Sequence, residues 1–297
     1  MFKPNLRIQL VFAVLVIIAG CVSIPVQPHV LSKDTALTTS VDPNQCDANT
    51  FLTTKQTNRE PSKMLNGDSI SILNWNIYKE QRENWESDLR KFSSQLDIML
   101  IQEALLTQNL RKLLKDQNRH WSLNTAFYYD DVEAGVMNAS KVESIASCGI
   151  RTTEPFIRIP KTVLISRYPI AGVSQDLLVA NIHGINFTLG TEVYQQQLNG
   201  LKNVLAKHTG PIVLAGDFNS WSEERLEIIE ELISSLSLQS LSYKNHNRVT
   251  VFGNTIDHVF YRGLEIVSQD TYKVTSSDHN PIKVTFKIPD NKLARNN

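Results

Sequence analysis

A short apolar run at residues 212–215 constrains the fold of this chain more than any other stretch. Its β-branched and other apolar residues predict a buried strand. Gly216 ends the run, and a carboxylate and an amide follow at Asp217 and Asn219. Because residues i and i+2 of a strand point to the same side, we expect both side chains to project into one cleft. The alternative is an Asp-x-Asn turn that only caps the strand.

The composition is that of an ordinary globular protein. The chain has 297 residues, of which 41% are apolar, enough for one large domain or two small ones. The formal net charge is zero. The protein as a whole therefore has no positive charge that would attract nucleic acid. A local basic cleft is still compatible with a net charge of zero. Short apolar strands alternate with helical stretches, which indicates an α/β or α+β protein.

The first 20 residues have the pattern of a secretory signal. Lys3 and Arg7 precede an apolar stretch at residues 8–20 that is short for a membrane-spanning helix. The stretch leads into Cys21 and resembles the signal of bacterial lipoproteins. By that resemblance Cys21 becomes the lipidated N-terminus, and Val22 after it favours the outer membrane, facing the periplasm. The alternatives are an ordinary cleaved signal peptide and an uncleaved membrane anchor.

Residues 21–67 are rich in Ser, Thr, Asn, Gln, Asp and Pro and show little apolar periodicity. We interpret them as a polar tether between the membrane and a domain at residues 68–297, with an irregular flank that packs on the domain as the alternative. Export implies an oxidising compartment. The sequence leaves open whether Cys46 and Cys148 form a disulfide or remain two thiols.

Apolar strands and amphipathic helices alternate within the domain. Strands are predicted at residues 69–77, 97–101, 161–169, 177–182, 212–215, 255–261, 264–274 and 282–288. Helices are predicted at residues 85–96, 105–114, 192–207 and 223–236. The stretch 121–158 has no clear periodicity. Its cluster of two tyrosines and two aspartates at residues 128–131 fits either a pocket rim or a loop.

Polar side chains recur at or beside the ends of these strands. They are Asn76, Glu103, His183, Asp217, Asn219, Asp257, Asp278 and His279. We expect them to share one cleft. Carboxylates hold a hard divalent cation such as Mg²⁺, and histidines transfer protons or bind anions. The sequence has no HExxH or CxxC zinc spacing and no motif for a nucleophilic Ser or Cys. The set therefore indicates metal-assisted attack of water on a phosphate ester.

The order of the motifs around these residues resembles the endonuclease/exonuclease/phosphatase superfamily, which includes DNase I. The motifs are NWN around Asn76, QE at Glu103, NIH ending at His183, GDFN at residues 216–219, IDHVF around Asp257 and SDH ending at His279. NWNIYK and NIHGINF are similar to an uncharacterised bacterial subgroup. The resemblance covers residues 69–288. It implies a DNase I-like four-layer sandwich, with two mixed β-sheets face to face and helices outside.

The resemblance also implies a metal site and an attacking water. Glu103 would be the main Mg²⁺ ligand, supported by Asn76 and completed by Asp278, with Mn²⁺ as the alternative ion. Asp217 would orient or deprotonate the water, and Asn219 would bind the phosphate.

The same resemblance implies roles for the two histidines. Asp257 would fix the orientation of His279, much as a buried Asp steers a catalytic His. His279 would then bind the phosphate or act as the base. His183 would be the general acid that protonates the leaving oxygen.

This sequence departs from the family pattern around these positions. The carboxylate partner expected for His183 is not evident, and Glu143 and Glu154 are the candidates. Tyr78 replaces a carboxylate that apurinic endonucleases carry, which argues against specificity for abasic sites. Lys79 beside the first motif is either a contact to the substrate phosphate or a solvated lysine.

We therefore expect a monomeric, lipid-anchored, Mg²⁺-dependent phosphoesterase of the bacterial cell envelope, a phosphodiesterase rather than a phosphomonoesterase. Its substrate could be nucleic acid, a phospholipid or a small phosphorylated molecule. The alternative is a non-catalytic envelope lipoprotein that uses the same fold as a binding module.

Overall fold

We describe the protein from a computed structural model that covers residues 22–27, 29–33, 46–53, 60–243 and 246–290. The predicted signal peptide and Cys21 lie outside these described residues. The strands are β1 (Val22–Ser23), β2 (Val30–Ser32), β3 (Ile70–Asn76), β4 (Ile98–Leu105), β5 (His120–Tyr129), β6 (Val132–Ser140), β7 (Ala146–Thr153), β8 (Pro160–Tyr168), β9 (Leu177–His183), β10 (Ile212–Asp217), β11 (Gln239–Ser240), β12 (Thr250–Val251), β13 (Asn254–Thr255), β14 (Asp257–Arg262), β15 (Glu265–Thr271) and β16 (Ile282–Lys287).

The helices are α1 (Ala48–Thr53), α2 (Trp85–Ser93), α3 (Gln108–Asp116), α4 (Glu192–Leu205) and α5 (Glu223–Ser235). Two short 3₁₀ turns lie at Pro61–Lys63 and Tyr78–Glu80. Within the described part of the chain, none of the helices combines the length and the apolar character needed to cross a membrane.

Two mixed β-sheets form the centre of the fold. The first has the strand order β1-β5-β6-β4-β3-β16-β15, with β2 also paired to β5, and the second has the order β11-β14-β10-β9-β8-β7. One central pair in each sheet is parallel, β3 with β4 and β9 with β10. Parallel neighbours end at the same edge, so the residues at the ends of these strands are brought together.

The side-chain alternation of the strands divides the core into layers. Ile72 and Val213 face the gap between the sheets and pack in one apolar cluster. Their neighbours Leu73 and Leu214 face the other way, Leu73 toward α2 and α3 and Leu214 toward α4 and α5. Each fully buried side chain of this size stabilises the fold by about 1.5–3 kcal/mol. The order helix, sheet, sheet, helix confirms the predicted four-layer sandwich.

Strand β4 is longer than predicted because of a β-bulge. Its pairing with β6 shifts register between Ile101 and Ala104, and Glu103 adopts a left-handed φ of 51°. An extra residue at a bulge lets a strand stay paired while it re-aims one side chain. The following helix therefore starts later than predicted, after Thr107, whose side chain accepts a hydrogen bond from the N–H of Leu110 at 3.1 Å.

The stretch for which the sequence predicted no element forms β5, β6 and β7. Asp130 and Asp131, with φ values of 47° and 62°, make the two-residue turn that joins β5 to β6. Left-handed φ at both central positions is the requirement of a type I′ hairpin turn. The polar residues of β6, such as Glu133 and Asn138, obscured the strand pattern in the sequence.

Pieces of the predicted tether pack on the sandwich. Val22 of β1 pairs with Tyr129, and Leu31 of β2 pairs with Leu123. Phe51 of α1 is buried in the cluster outside the second sheet. These pieces match the alternative of a flank that packs on the domain. Their few apolar residues supply the contacts, although the surrounding composition is that of a linker.

Cys46 and Cys148 form a disulfide, with their Cα atoms 5.3 Å apart. The bond fastens the segment that leads into α1 onto β7. The sequence had left the disulfide and the free thiols open, because the position of Cys46 depends on how the flank packs. The two cysteines are separated by 102 residues along the chain.

We predict that the pair Cys46→Ala and Cys148→Ala lowers the free energy of unfolding by about 2–5 kcal/mol, because the disulfide restricts a long loop in the unfolded chain. Urea unfolding followed by circular dichroism measures the change. The wild-type chain with a thiol reductant should behave like the double variant. An unchanged urea midpoint in both would contradict a stabilising disulfide.

Candidate active site

Three candidate residues lie side by side across the second sheet. Asp217 ends β10, and its pairing partners are His183 of β9 on one side and Asp257 of β14 on the other. Val213 and Ala215 of the same strand face the gap between the sheets. Asp217 lies two residues after Ala215, so its side chain points to the same side of the strand. Its carboxylate therefore enters that gap, where the residue is only 2% exposed.

Two glycines permit the close approach of the loops at this edge. A Cβ at Gly216, whose φ is 153°, would lie 1.9 Å from the carbonyl oxygen of Ile182. A Cβ at Gly184 would lie 2.4 Å from the carbonyl oxygen of Phe218. Both positions therefore require glycine, because any side chain would separate the ends of β9 and β10.

The first sheet supplies Asn76 and Glu103 from the opposite side of the gap. The Nδ2 group of Asn76 donates to Asp217 Oδ2 at 3.1 Å. Glu103 projects from the bulge of β4, forms an ion pair with Lys79 and lies 4.0 Å from His183 Nε2. The two sheets thus meet through the side chains of their strand ends.

A network of buried amides lies beneath these residues. The side chain of Gln102 donates to the Oδ1 atoms of Asn74, at 2.9 Å, and of Asn181, at 2.6 Å. Asn181 in turn donates to Asn138 Oδ1 at 3.0 Å. Asn74, Gln102 and Asn138 belong to the first sheet and Asn181 to the second. The network therefore fixes one sheet against the other below the candidate site.

His279 is held by Asp257. Its Nδ1 atom lies 2.8 Å from Asp257 Oδ2, and its Nε2 atom lies 3.7 Å from Asp217 Oδ2. Burial by itself lowers the pKa of His279. The negative charges of Asp257 and Asp217 and the hydrogen bond to Asp257 outweigh burial and raise the pKa to about 10. The imidazole is therefore a cation at neutral pH.

Asp217 is a carboxylate with a perturbed acidity. Burial raises its pKa to about 6, the nearby His279 opposes that shift, and Asp257 adds to it. The backbone N–H of Asn219 donates to Asp217 Oδ1 at 3.0 Å. At neutral pH Asp217 is thus ionised, with an affinity for a proton well above that of an exposed aspartate.

Lys161 contacts His183, a contact that the sequence did not predict. The Nζ atom of Lys161 lies 2.8 Å from His183 Nε2. An ammonium group only donates, so in this arrangement Nε2 is the unprotonated nitrogen of the ring. Burial lowers the pKa of His183 well below its usual value, and the charges of Lys161 and Lys79 lower it further.

The two carboxylates considered as partners of His183 have other positions. Glu154 is buried, and its Oε1 atom accepts the N–H groups of Asn186 and Phe187 at 2.5 and 3.1 Å. Glu143 lines a separate cavity near His120. Among the described residues, the carboxylate oxygens within 4.0 Å of His183 Nε2 belong to Asp217, at 3.5 Å, and Glu103.

The remaining candidates flank this centre. Asn219, with a left-handed φ of 50°, donates through Nδ2 to the carbonyl of Gly184 at 2.9 Å. Asp278 is exposed, and its Oδ1 atom lies 3.4 Å from the hydroxyl of Ser277. Ser277 also donates to the carbonyl of Asn76 at 2.6 Å. The loop that carries His279 is thus fastened to the end of β3.

Arg225 of α5 is a positioning residue that the sequence did not reveal. Its buried guanidinium donates to the carbonyls of Ile185, Asn219 and Asn186 at 2.7, 2.7 and 2.9 Å. It ties the loops after β9 and β10 to each other. In the sequence Arg225 was one charged residue among several on an amphipathic helix, and nothing there marked it as buried.

The donor set fits a hard divalent cation. Carboxylates and amide oxygens are the ligands that Mg²⁺ and Mn²⁺ take in proteins. One ligand atom each of Asp217, Asp257 and His279 lies within 4.8 Å of the others, and the two carboxylates are the groups of this set that can ligate while His279 is protonated. In the described part of the chain nothing donates to the buried Oδ1 atom of Asp257. Glu103, which the sequence favoured, is paired with Lys79, so a metal ion at that carboxylate would take the place of the lysine.

The chain belongs to the endonuclease/exonuclease/phosphatase family, which it matches over residues 73–279. This confirms the resemblance seen in the motifs. Relatives include a UPF0294 protein of Vibrio campbellii, 38% identical over 293 residues that cover 95% of this chain and 99% of that one. A UPF0294 protein of Yersinia enterocolitica is 36% identical over 73% of this chain and 84% of its own.

Solved structures share the fold at low sequence identity. The human Nocturnin catalytic domain has a TM-score of 0.58 at 19% identity and covers 74% of this chain and 95% of its own. ANGEL2, a 2′,3′-cyclic phosphatase bound to adenosine-2′,3′-vanadate, has a TM-score of 0.55 at 16% identity, with coverage of 74% and 95%. These similarities extend to the architecture of the two sheets and their helices.

We predict that Asp257→Asn weakens the dependence of stability on alkaline pH. The folded pKa of His279, about 10, lies above its ordinary value of 6.5. Such a group stabilises the folded chain fully below pH 6.5, and the stabilisation is lost as the pH rises toward 10. Urea unfolding over this range should show a free energy of unfolding that falls with pH in the wild type and falls less in the variant. Equal slopes would contradict the pairing. The shift of Asp217 acts at lower pH, between 3.8 and about 6, outside this window.

Proposed function

We propose that the chain is a divalent-metal-dependent hydrolase of phosphate esters, and a phosphodiesterase rather than a phosphomonoesterase. The observation that carries the proposal is the meeting of Asp217 with the Asp257–His279 pair in one buried cleft. One carboxylate there has a raised proton affinity, while the histidine beside it is held as a cation. Hydrolysis of a phosphate ester needs both, a group that takes a proton from water and a positive group that faces the phosphoryl oxygens.

Asp217 is the group proposed to orient and deprotonate the attacking water. As the water oxygen bonds to phosphorus, its proton passes to the carboxylate. A base works best when its pKa lies close to the working pH, and burial brings Asp217 toward that value. His279 is protonated over the same range, which supports a phosphate-binding role rather than that of a base.

The leaving oxygen must gain a proton as its bond to phosphorus breaks. His183 is the predicted general acid, and Lys161 donates to the same ring nitrogen that faces the cleft. We propose that the two act together, so that the proton held between Lys161 Nζ and His183 Nε2 is available to the leaving oxygen. The products are then an alcohol and a phosphate that has gained the hydroxyl of water.

Glu103 and Asn76 are proposed to hold the divalent cation, Mg²⁺ or Mn²⁺, with Asp278 completing the site. When bound, the ion supplies positive charge to the phosphoryl oxygens. Asn219 and Lys79 are proposed as further phosphate contacts. One amide hydrogen of Asn219 remains after its bond to Gly184, and Lys79 can exchange Glu103 for a phosphate oxygen.

The proposed location is the bacterial envelope, where acyl chains on Cys21 anchor the chain to the outer membrane on its periplasmic side. The disulfide between Cys46 and Cys148 supports a route through an oxidising compartment. Substrates of such an enzyme are nucleic acids, phospholipids or small phosphorylated molecules. TDP2 of D. rerio, which shares the fold with a TM-score of 0.54, was solved with a single-stranded DNA product.

We predict that Asp217→Asn lowers kcat/KM for phosphodiester hydrolysis by at least about 100-fold, because the amide cannot take the proton from water. The assay compares DNA, RNA, phospholipids and phosphorylated small molecules, with circular dichroism to verify folding. Asp270→Asn, an exposed aspartate of β15, is the matched control.

The same assay tests the cation and the alternative of a binding module. EDTA should abolish hydrolysis, and added Mg²⁺ or Mn²⁺ should restore it. Undiminished activity of both Asp217→Asn and His279→Gln would disprove the assignment of the site. A well-folded wild type that hydrolyses nothing in the panel would favour a binding module.

We predict that Cys21→Ala releases the protein from membranes, because several acyl chains are needed for stable anchoring and this variant carries none. Fractionation of cells followed by immunoblotting measures the distribution. An unchanged membrane fraction would argue against a lipid anchor at Cys21.

A further inference from the structure

A cavity of about 360 Å³ opens directly beside the candidate active site. Lys79, Glu103, Lys161 and His183 line one part of it. Apolar groups line most of the rest, namely Val22, Ala126, Phe127, Ile157, Ile159 and Phe187, together with a few neutral polar residues. A ligand that fills this cavity must therefore carry an apolar group next to its phosphate ester.

Exposed apolar side chains occur at this cavity and in the loops next to it. Phe187 is 55% exposed and Ile157 is 37% exposed, and both line the cavity. Phe156 and Leu189, close to them in the chain, are 57% and 80% exposed. The two loops that carry these residues are bound to each other through Glu154. We call this group of exposed apolar residues, together with Phe252, the apolar rim. Large exposed apolar side chains grouped at one place mark a surface that binds a partner or a membrane.

Phe252 extends the rim from a third element. It occupies the tip of the hairpin β12–β13, with φ values of 51° at Phe252 and 91° at Gly253. Left-handed φ at both tip residues is the type I′ pattern, which favours Asn before Gly. A phenylalanine at this position is strained and is 87% exposed. A ring that is this exposed adds little buried apolar surface to the fold. A partner outside the chain would explain why it is phenylalanine.

The hairpin is connected to the cavity through Trp221. The ring of Phe252 stands 6.1 Å from that of Trp221, and Trp221 Nε1 donates to Asn186 Oδ1 at 3.0 Å. Asn186 lines the cavity next to Phe187. A short chain of contacts thus connects the hairpin tip to the mouth.

The N-terminal strand places the proposed anchor beside the same mouth. Val22 of β1 lines the cavity and pairs with Tyr129, which also lines it. Val22 follows Cys21 by a single peptide bond, so their Cα atoms are about 3.8 Å apart. Acyl chains on Cys21 would therefore tether the chain to the bilayer one residue before a residue that lines the cavity.

Nucleic acid fits the cavity less well than a lipid does. A nucleic-acid groove needs several cations along the backbone of the strand. Within the described part of the chain, the lysines that line the cavity are Lys79 and Lys161. They lie together at the active-site end, beside Glu103 and His183, where they can serve one phosphate but do not follow the backbone of a strand. The rest of the lining and the rim offer apolar contact rather than positive charge.

We propose that the apolar rim docks on the bilayer and that the substrate is a membrane lipid, whose phosphate ester enters the active site while the apolar part of the lipid fills the cavity. This inference rests on the proposed function, since it names the substrate of the same site. Water attacks the phosphorus of the lipid, and the phosphate ester bond to one alcohol breaks, as in the general scheme above.

The test uses the full chain reconstituted in vesicles of phosphatidylethanolamine and phosphatidylglycerol. Phosphorus NMR measures hydrolysis of the vesicle lipids and of the deacylated headgroup diesters added in solution. The wild type should hydrolyse the vesicle lipids faster. The pair Phe252→Asn and Phe156→Ser should lower lipid hydrolysis by about ten-fold or more and leave hydrolysis of the soluble diesters unchanged, because two apolar contacts with the bilayer are lost.

The control is Val267→Ser, since Val267 is 56% exposed on β15 at the edge of the first sheet and should not affect either activity. Phe252→Asn creates no folding defect to confuse the result, because Asn before Gly suits the turn. All variants keep Cys21, so the anchor is the same in each.

The outcomes separate the two proposals. Hydrolysis of soluble diesters or of added DNA without hydrolysis of vesicle lipids would overturn the lipid inference and leave the proposed function standing. Wild-type lipid hydrolysis in the rim variant would also overturn it. Failure of the wild type on every phosphate ester would overturn the proposed function itself, and the lipid inference with it.

Discussion

The buried carboxylate of Asp217 needs hydrogen-bond donors and positive charge around it, and the surrounding structure supplies them. A charged group between two apolar sheets is costly unless hydrogen-bond donors or positive groups surround it. Its partners come from three directions: Asn76 of the first sheet, the backbone of Asn219, and the cationic ring of His279. The carboxylate is therefore stable in its position only while both sheets and the loop of His279 are in place.

Because the site depends on these elements together, several non-glycine residues next to it are held in strained, left-handed backbone conformations. Glu103 and Asn219 adopt left-handed φ values, and so do the three residues of the turn Tyr78–Glu80. Unfavourable conformations of non-glycine residues persist where the surrounding structure fixes them, and they are common at functional sites. The amide network around Gln102 supplies such a fixed base, since it bonds the sheets to each other directly below.

The candidate site combines polar catalytic groups with apolar surroundings. A compact polar centre faces a cavity with apolar walls, and apolar side chains continue from the cavity onto the surface. A polar centre alone would serve a soluble phosphate ester. The apolar continuation is the feature that supports the proposed substrate, a lipid that is itself partly apolar.

Much of this arrangement could be predicted from the chain alone. The period of two at the end of the strand predicted that Asp217 projects into a cleft, and ordered motifs from Asn76 to His279 identified the family and its sandwich. These features are local, because strand alternation and turn chemistry act between near neighbours. The structure alone decided the contacts between distant residues: Lys161 with His183, Arg225 with the loops after β9 and β10, Cys46 with Cys148, and the strands within residues 121–158. Such contacts depend on how the sheets and loops pack, and no pattern within a single segment records that packing.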